Sequence, residues 1–119
     1  MNDKKLPSNR QLKVGQQIRF LVSNFFIKED FIFENFDSKN LTIIDVILSP
    51  DLKNAKIFVT TNSLSENKLI IHELNNKSKL IQKRIAPNLT SKFTPKIKFF
   101  FDNSFEYSNK INNILEAIK

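Results

Sequence analysis

Side chains able to do covalent or acid–base chemistry are few in this chain. It has one histidine (His72), no cysteine and one glycine (Gly15). His72 falls in a helical stretch beside Ile70 and Ile71, and no acid–nucleophile pair is spaced to work with it. It reads as a surface or half-buried helical residue. The 12 Asp and Glu residues form no pairing that suggests a glycosidase or a metal site, and dispersed carboxylates are ordinarily solvated. Without cysteine there are no disulfides, thiol nucleophiles or thiolate metal sites. A single glycine leaves no P-loop, dinucleotide fingerprint or kinase loop. The chain is expected to be no enzyme and to hold no metal and no cofactor.

Basic groups, by contrast, cluster. Lys77, Lys79, Lys83 and Arg84 lie along one helical stretch, and Lys92 follows it. Arg10 and Lys13 take polar positions on the first helix. Lys79 and Lys83 stand at i, i+4, where like charges repel mildly unless a polyanion neutralises them. Two readings stay open, a solvated helix face and a phosphate-binding surface. The formal net charge of +7 favours a polyanionic partner. Yet the excess is mostly Lys, and Asn, Ile and Phe are also abundant, a bias that codon composition alone can produce. Acidic groups concentrate in residues 29–45, which places the basic surface elsewhere.

The elements that must position these groups turn on residues 41–61. Leu41-Thr42-Ile43-Ile44-Asp45-Val46-Ile47-Leu48 is rich in β-branched residues and reads as a strand largely buried on both faces. Ser49-Pro50-Asp51-Leu52 is a turn: Pro50 presets φ, and Asp51 can accept from nearby amides. Ala55-Lys56-Ile57-Phe58-Val59-Thr60-Thr61 alternates and is buried on one side only. Together they form a β-hairpin.

Upstream, residues 1–9 form a loose arm. Val14, Ile18, Leu21, Val22 and Phe25 then give an amphipathic helix to about Phe26, capped by Ser8 or Asn9. Gly15 inside it costs about 1 kcal/mol relative to Ala; close approach of a neighbouring backbone is one reading of it, and codon drift is the other. Residues 28–39 mix Phe31, Phe33 and Phe36 with acidic groups and read as a loop or one helical turn that tucks aromatics under the sheet.

Downstream, Ser63 and Glu66 fit a capping box. Ile70, Ile71, Leu74, Ile81 and Ile85 keep a helical period that Asn75-Asn76-Lys77-Ser78-Lys79 interrupts, and Pro87 ends it. Lys96-Ile97-Lys98-Phe99-Phe100-Phe101 is a third strand with Ile97, Phe99 and Phe101 inward. Ile111, Ile114, Leu115 and Ile118 mark a last helix. Because a strand of the same sheet follows the helices, they cross over one face.

The expected fold is α+β, a monomeric three-stranded sheet with helices on one face, in the order α-β-β-α-α-β-α. At 119 residues it is one domain by prior. The open face would show Lys56, Phe58, Lys98 and Phe100. Phe58 and Phe100 could stack bases, as sheet aromatics do in RNA-recognition modules. Alternatively they lie beneath the last helix, whose apolar stripe needs a partner; that second arrangement is the expectation. No apolar run approaches the roughly 20 residues that span a bilayer, and the N-terminus lacks a signal-peptide core, so the default location is the cytoplasm.

Five stretches resemble the bacterial ribosome-binding factor A family: Arg10-Gln11-Leu12-Lys13-Val14-Gly15, Val46-Ile47-Leu48-Ser49-Pro50-Asp51-Leu52, Ala55-Lys56-Ile57-Phe58-Val59, Lys92-Phe93-Thr94-Pro95 and Phe101-Asp102-Asn103-Ser104. The first and last, with Phe105-Glu106-Tyr107, are most similar to alphaproteobacterial members. The resemblance implies a type II KH-like domain with a helical kink where other KH domains carry a Gly-x-x-Gly loop. Lys77-Ser78-Lys79 aligns with that kink, whose usual Ala-x-Gly is absent here. Pro87-Asn88 stands where relatives often have paired Arg, and the basic C-terminal tail of some members is missing.

The resemblance further implies a non-enzymatic factor that binds the free 30S subunit and 16S rRNA near its 5′-terminal helix. Such a factor aids late small-subunit maturation and rRNA processing and supports growth in the cold. The RNA contacts expected are Arg10, Lys13, Lys77, Lys79, Lys83, Arg84 and Lys92. A KH-like module acting on non-ribosomal RNA is the alternative. A protein-interaction domain whose charge is only compositional is the third.

Overall fold

The computed structural model describes residues 6–28, 33–34, 36–61 and 67–102. Helix α1 (Asn9–Ile27) leads to a 3₁₀ turn (Ser38–Asn40), then strands β1 (Leu41–Leu48) and β2 (Asn54–Thr61). Helices α2 (Asn67–Asn76) and α3 (Ser78–Ile85) follow, then a second 3₁₀ turn (Ala86–Asn88) and β3 (Lys96–Phe101). This α-β-β-α-α-β order is the one expected for a type II KH-like domain. The capping box at Ser63, Phe31 and the last helix lie outside the described residues.

Ser8 opens α1 with a capping box. Its hydroxyl accepts from the Gln11 amide at 3.1 Å, and the Gln11 side chain accepts from the Ser8 amide at 2.7 Å. Two donors that a helix start leaves unpaired are thereby satisfied. Val14, Ile18, Val22, Phe25 and Phe26 form the buried stripe. Gly15 faces β1: a Cβ there would lie 3.1 Å from the Val46 carbonyl oxygen and 3.5 Å from Leu48 Cδ2. The glycine therefore serves the close helix–backbone approach.

The sheet has the order β1-β2-β3, with β1 antiparallel and β3 parallel to β2. A parallel neighbour needs a crossover, and α2 and α3 supply it. Ala55, Ile57 and Val59 of β2 and Ile97 and Phe99 of β3 are buried. They form the core with Ile18, Val22, Phe26, Leu74 and Ile81. Buried Phe33 stacks on Phe36 at 4.6 Å and meets Phe26 edge-on. Phe33 is thus in the core and Phe36 packs against it, as expected for some of that connection's aromatics.

The reading of β1 as buried on both faces is corrected. Asp45 and Ile47 are exposed, and Ile44 and Val46 are half-buried. A bulge between Ile43 and Asp45 shifts the register, so Ile43 opposes Val59 while Asp45 opposes Phe58. Leu41 and Ile43 face inward before the bulge, and Val46 and Leu48 face inward after it. Two out-of-phase alternations joined by one extra residue look like a continuous apolar run. Phe101, assigned to the inward set of β3, is only half-buried at the strand end.

The hairpin turn is held by side chains. The Leu52 amide donates to the Ser49 carbonyl at 2.9 Å. Asp51 accepts from the Ser49 hydroxyl at 2.6 Å and the Lys53 amide at 3.0 Å. Leu52 takes φ 62°, the left-handed region, while packing against the core. Both sheet edges are guarded. Gln11 donates to the Leu48 carbonyl at 2.9 Å and Arg19 to the Ile43 carbonyl at 3.2 Å. On β3, the Asn75 amide donates to the Phe99 carbonyl at 3.1 Å and accepts from the Phe99 N–H at 2.7 Å. Asn75 so occupies the position a fourth strand would take. Among the described residues, no helix is long and apolar enough to cross a membrane.

Candidate nucleic-acid interface

The helical period of 67–85 breaks at one residue, Lys77, with φ −99° and ψ 4°. That lies in the bridge region, open to any L-residue, so the break needs no glycine. The Lys77 amide donates to both the Glu73 and Leu74 carbonyls at 3.1 Å, and its carbonyl accepts from Ile81 at 3.0 Å. α2 therefore closes and α3 opens on the same residue. This is the kink expected at Lys77-Ser78-Lys79, reached with other side chains.

From that break α3 buries Ile81 and Ile85 and exposes Lys79, Lys83 and Arg84. Lys83 and Arg84 stand in its last turn, where cations suit the negative end of the helix dipole. Lys77 itself is half-buried. Across from α3, α1 carries exposed Arg10 and Lys13 on the side of Gln17. The Gln17 amide donates to Thr90 Oγ1 at 2.8 Å and accepts from the Thr90 N–H at 3.2 Å. This clamp holds the segment before β3, which carries exposed Lys92, against α1. Lys92 Nζ sits 5.6 Å from the centroid of the Phe93 ring.

The predicted residues thus fall into three groups. Arg84 lines the α1–α3 seam, while exposed Lys13 and Lys92 are neighbours in sequence of the Gln17–Thr90 clamp, with Arg10 one turn further along α1. Lys79 and Lys83 project from the outer face of α3. Lys77 belongs to the break. Sequence reasoning missed Lys28, which lines a cleft of about 580 Å³ between α1 and α3 together with Arg84. The signal was available, since Lys28 continues the i, i+3/i+4 row of Lys13, Gln17, Phe20 and Asn24.

A second basic surface covers the outer sheet face. Phe58 and Phe100 stack at 5.5 Å with 26° between planes. Lys56 and Lys98 place their ammonium groups 5.9 and 5.3 Å from the Phe100 centroid. The helix expected above this pair lies outside the described residues. The acidic groups are engaged locally: Asp37 accepts from the Lys39 amide and Asp45 from the Val46 amide. His72 is exposed on α2, and among the described residues no group of three His, Asp or Glu is placed to hold a metal ion.

Comparison with known proteins places this arrangement. The family described as Ribosome-binding factor A matches residues 10–115. A ribosome-binding factor A from Pelagibacter ubique is 36% identical over 109 residues, 92% of this chain and 89% of that protein. A Thermotoga maritima protein, solved by solution NMR as a candidate ribosome-binding factor A, superimposes with a TM-score of 0.65. It is 22% identical and covers 82% of this chain and 91% of its own. A Thermus thermophilus ribosome-binding factor A, fitted as a homology model into a cryo-EM map of a 30S complex, gives a TM-score of 0.58. There the identity is 15%, over 75% of this chain and 91% of that one. A match across nearly the whole chain shows that the chain belongs to the ribosome-binding factor A family.

Proposed function

We propose that this protein binds the free small ribosomal subunit as a monomer and contacts 16S rRNA near its 5′-terminal helix. In this reading it assists late maturation and rRNA processing in the cytoplasm, including during growth in the cold. It acts through binding energy alone: a rigid basic domain favours one rRNA arrangement and departs when that arrangement changes. The observation that carries the reading is membership of the ribosome-binding factor A family over residues 10–115. The Thermus relative fitted into a 30S complex supports the choice of particle. Phosphate contacts are assigned to Lys79, Lys83 and Arg84 on α3 and Lys92 before β3. Arg10 and Lys13 assist from α1 and Lys77 from the break.

Sedimentation with purified particles tests this. The protein should pellet with 30S subunits, fail to pellet with 70S ribosomes, and dissociate as salt rises. Equal binding to 70S particles, or tighter binding to unrelated structured RNA, would replace it with a general RNA-binding role. Binding to neither particles nor RNA would leave a protein-interaction domain.

A further inference from the structure

The cleft between α1 and α3 holds more than charge. Phe25 and Ile85, both buried, form its apolar floor. Phe20 lines one wall with 66% of its surface exposed, and Arg84 lines the other. Asn24 and Asn88 also line it, and neither side-chain amide is engaged with another described residue. Lys28 closes one end. Among the described residues, no carboxylate lines the cleft. Its volume of about 580 Å³ lies within the range of small-ligand sites, roughly 300–1,000 Å³.

Each component answers one part of an unpaired nucleotide. An aromatic face and a guanidinium plane stack on a base, and side-chain amides pair with its edges. A nearby ammonium takes the phosphate. A duplex cannot use such a cleft, because its bases stay stacked on one another. We infer that this cleft receives a single unpaired RNA nucleotide, its base between Phe20 and Arg84, its edge met by Asn24 and Asn88, and its phosphate by Lys28. The inference rests on the RNA reading above and adds a site that discriminates unpaired from paired RNA.

The test uses the full chain with a single-stranded oligoribonucleotide and a blunt RNA duplex of equal length, at several salt concentrations. Phe20→Ala should weaken single-strand binding about 5- to 150-fold, the usual range for losing one base–aromatic stack. Duplex affinity should stay within about twofold and the salt slope unchanged, since no phosphate contact is lost. Phe20→Tyr should restore single-strand affinity, because its ring still stacks. Leu12→Ala, also exposed on α1, should have no effect. Unchanged single-strand affinity in Phe20→Ala, or equal losses on both RNAs, overturns the cleft assignment. The RNA reading would survive that result if reversing the α3 charges still weakened binding. If the wild-type chain bound neither RNA, both readings would fall together.

Discussion

Replacing Asn75 with Ala isolates the contribution of one side chain to the β3 edge. The substitution removes two hydrogen bonds, 3.1 Å to the Phe99 carbonyl and 2.7 Å from its N–H. Each is worth about 1 kcal/mol net. Both backbone groups are only part-buried, so water can recover some of the loss. Alanine also returns a few tenths of a kcal/mol in helix propensity at the end of α2. After these offsets the expected destabilisation is about 1.5 kcal/mol. For a domain of this size that lowers Tm by about 6 °C and the urea midpoint by roughly 0.7 M, with the m-value unchanged. Amide exchange gives a local readout: Phe99 should lose protection out of proportion to the global change. Asn75→Asp keeps an acceptor for the Phe99 N–H but sets an ionised oxygen against its carbonyl, so it should be at least as harmful at neutral pH. A loss under about 0.5 kcal/mol in Asn75→Ala, with Phe99 protection intact, would show that the amide pair is incidental.

Joint reversal of Lys79, Lys83 and Arg84 to Glu should weaken small-subunit binding and flatten its log–log salt dependence by roughly 2–3, at 0.7–0.9 per contact. Reversing Lys110 and Lys119 should do much less, and equal effects from the two sets would mean diffuse charge rather than a site. Gly15→Ala adds helix propensity of about 1 kcal/mol, but its Cβ would stand 3.1 Å from the Val46 carbonyl. Denaturant melts should therefore show no net gain, and a gain of the full amount would contradict the close approach. The Ser49 hydroxyl, and after it the Lys53 N–H, hold the Asp51 carboxyl below its usual range. A carboxylate with a lowered folded pKa stabilises above its unfolded value, about 4, and that contribution disappears as pH falls through the folded value. Asp51→Asn should thus be less stable than wild type at pH 7, and the gap should narrow as pH falls below the ordinary carboxylate range. A gap that stays constant with pH would point to packing instead.

Much of the fold was legible because it depends on local periodicity. The α1 stripe, the alternation of β2 and the turn at Ser49-Pro50-Asp51-Leu52 all follow from neighbours in sequence. The bulge in β1 was not legible, since an apolar run caused by a parity switch looks the same as one caused by two-sided burial. In the sequence Asn75 is one residue of a polar interruption. Its role depends on where β3 lies, and nothing within α2 reports that. The five-residue polar run locates the helix break, but only the backbone shows that it bends at Lys77. At the basic surface, residue types identified the cations. Only tertiary contact shows that Gln17 meets Thr90, and that Phe20 and Arg84 line one cleft.

The parallel pairing of β2 with β3 also sets an order in time. The β1–β2 hairpin needs only its own turn, and such units close within about 1–10 μs. β3 cannot join until the whole α2–α3 crossover has been made, because the entropy of closing a long loop comes before any pairing rewards it. On a growing chain the hairpin emerges first, with the free edge of β2 presented to whatever strand is nearby. Until Lys96 donates to the Lys53 carbonyl and Asp102 to Val59, the central strand of the finished sheet is an outer one. Substitutions in the crossover should therefore slow folding and raise losses to aggregation during synthesis, even where the folded protein tolerates them.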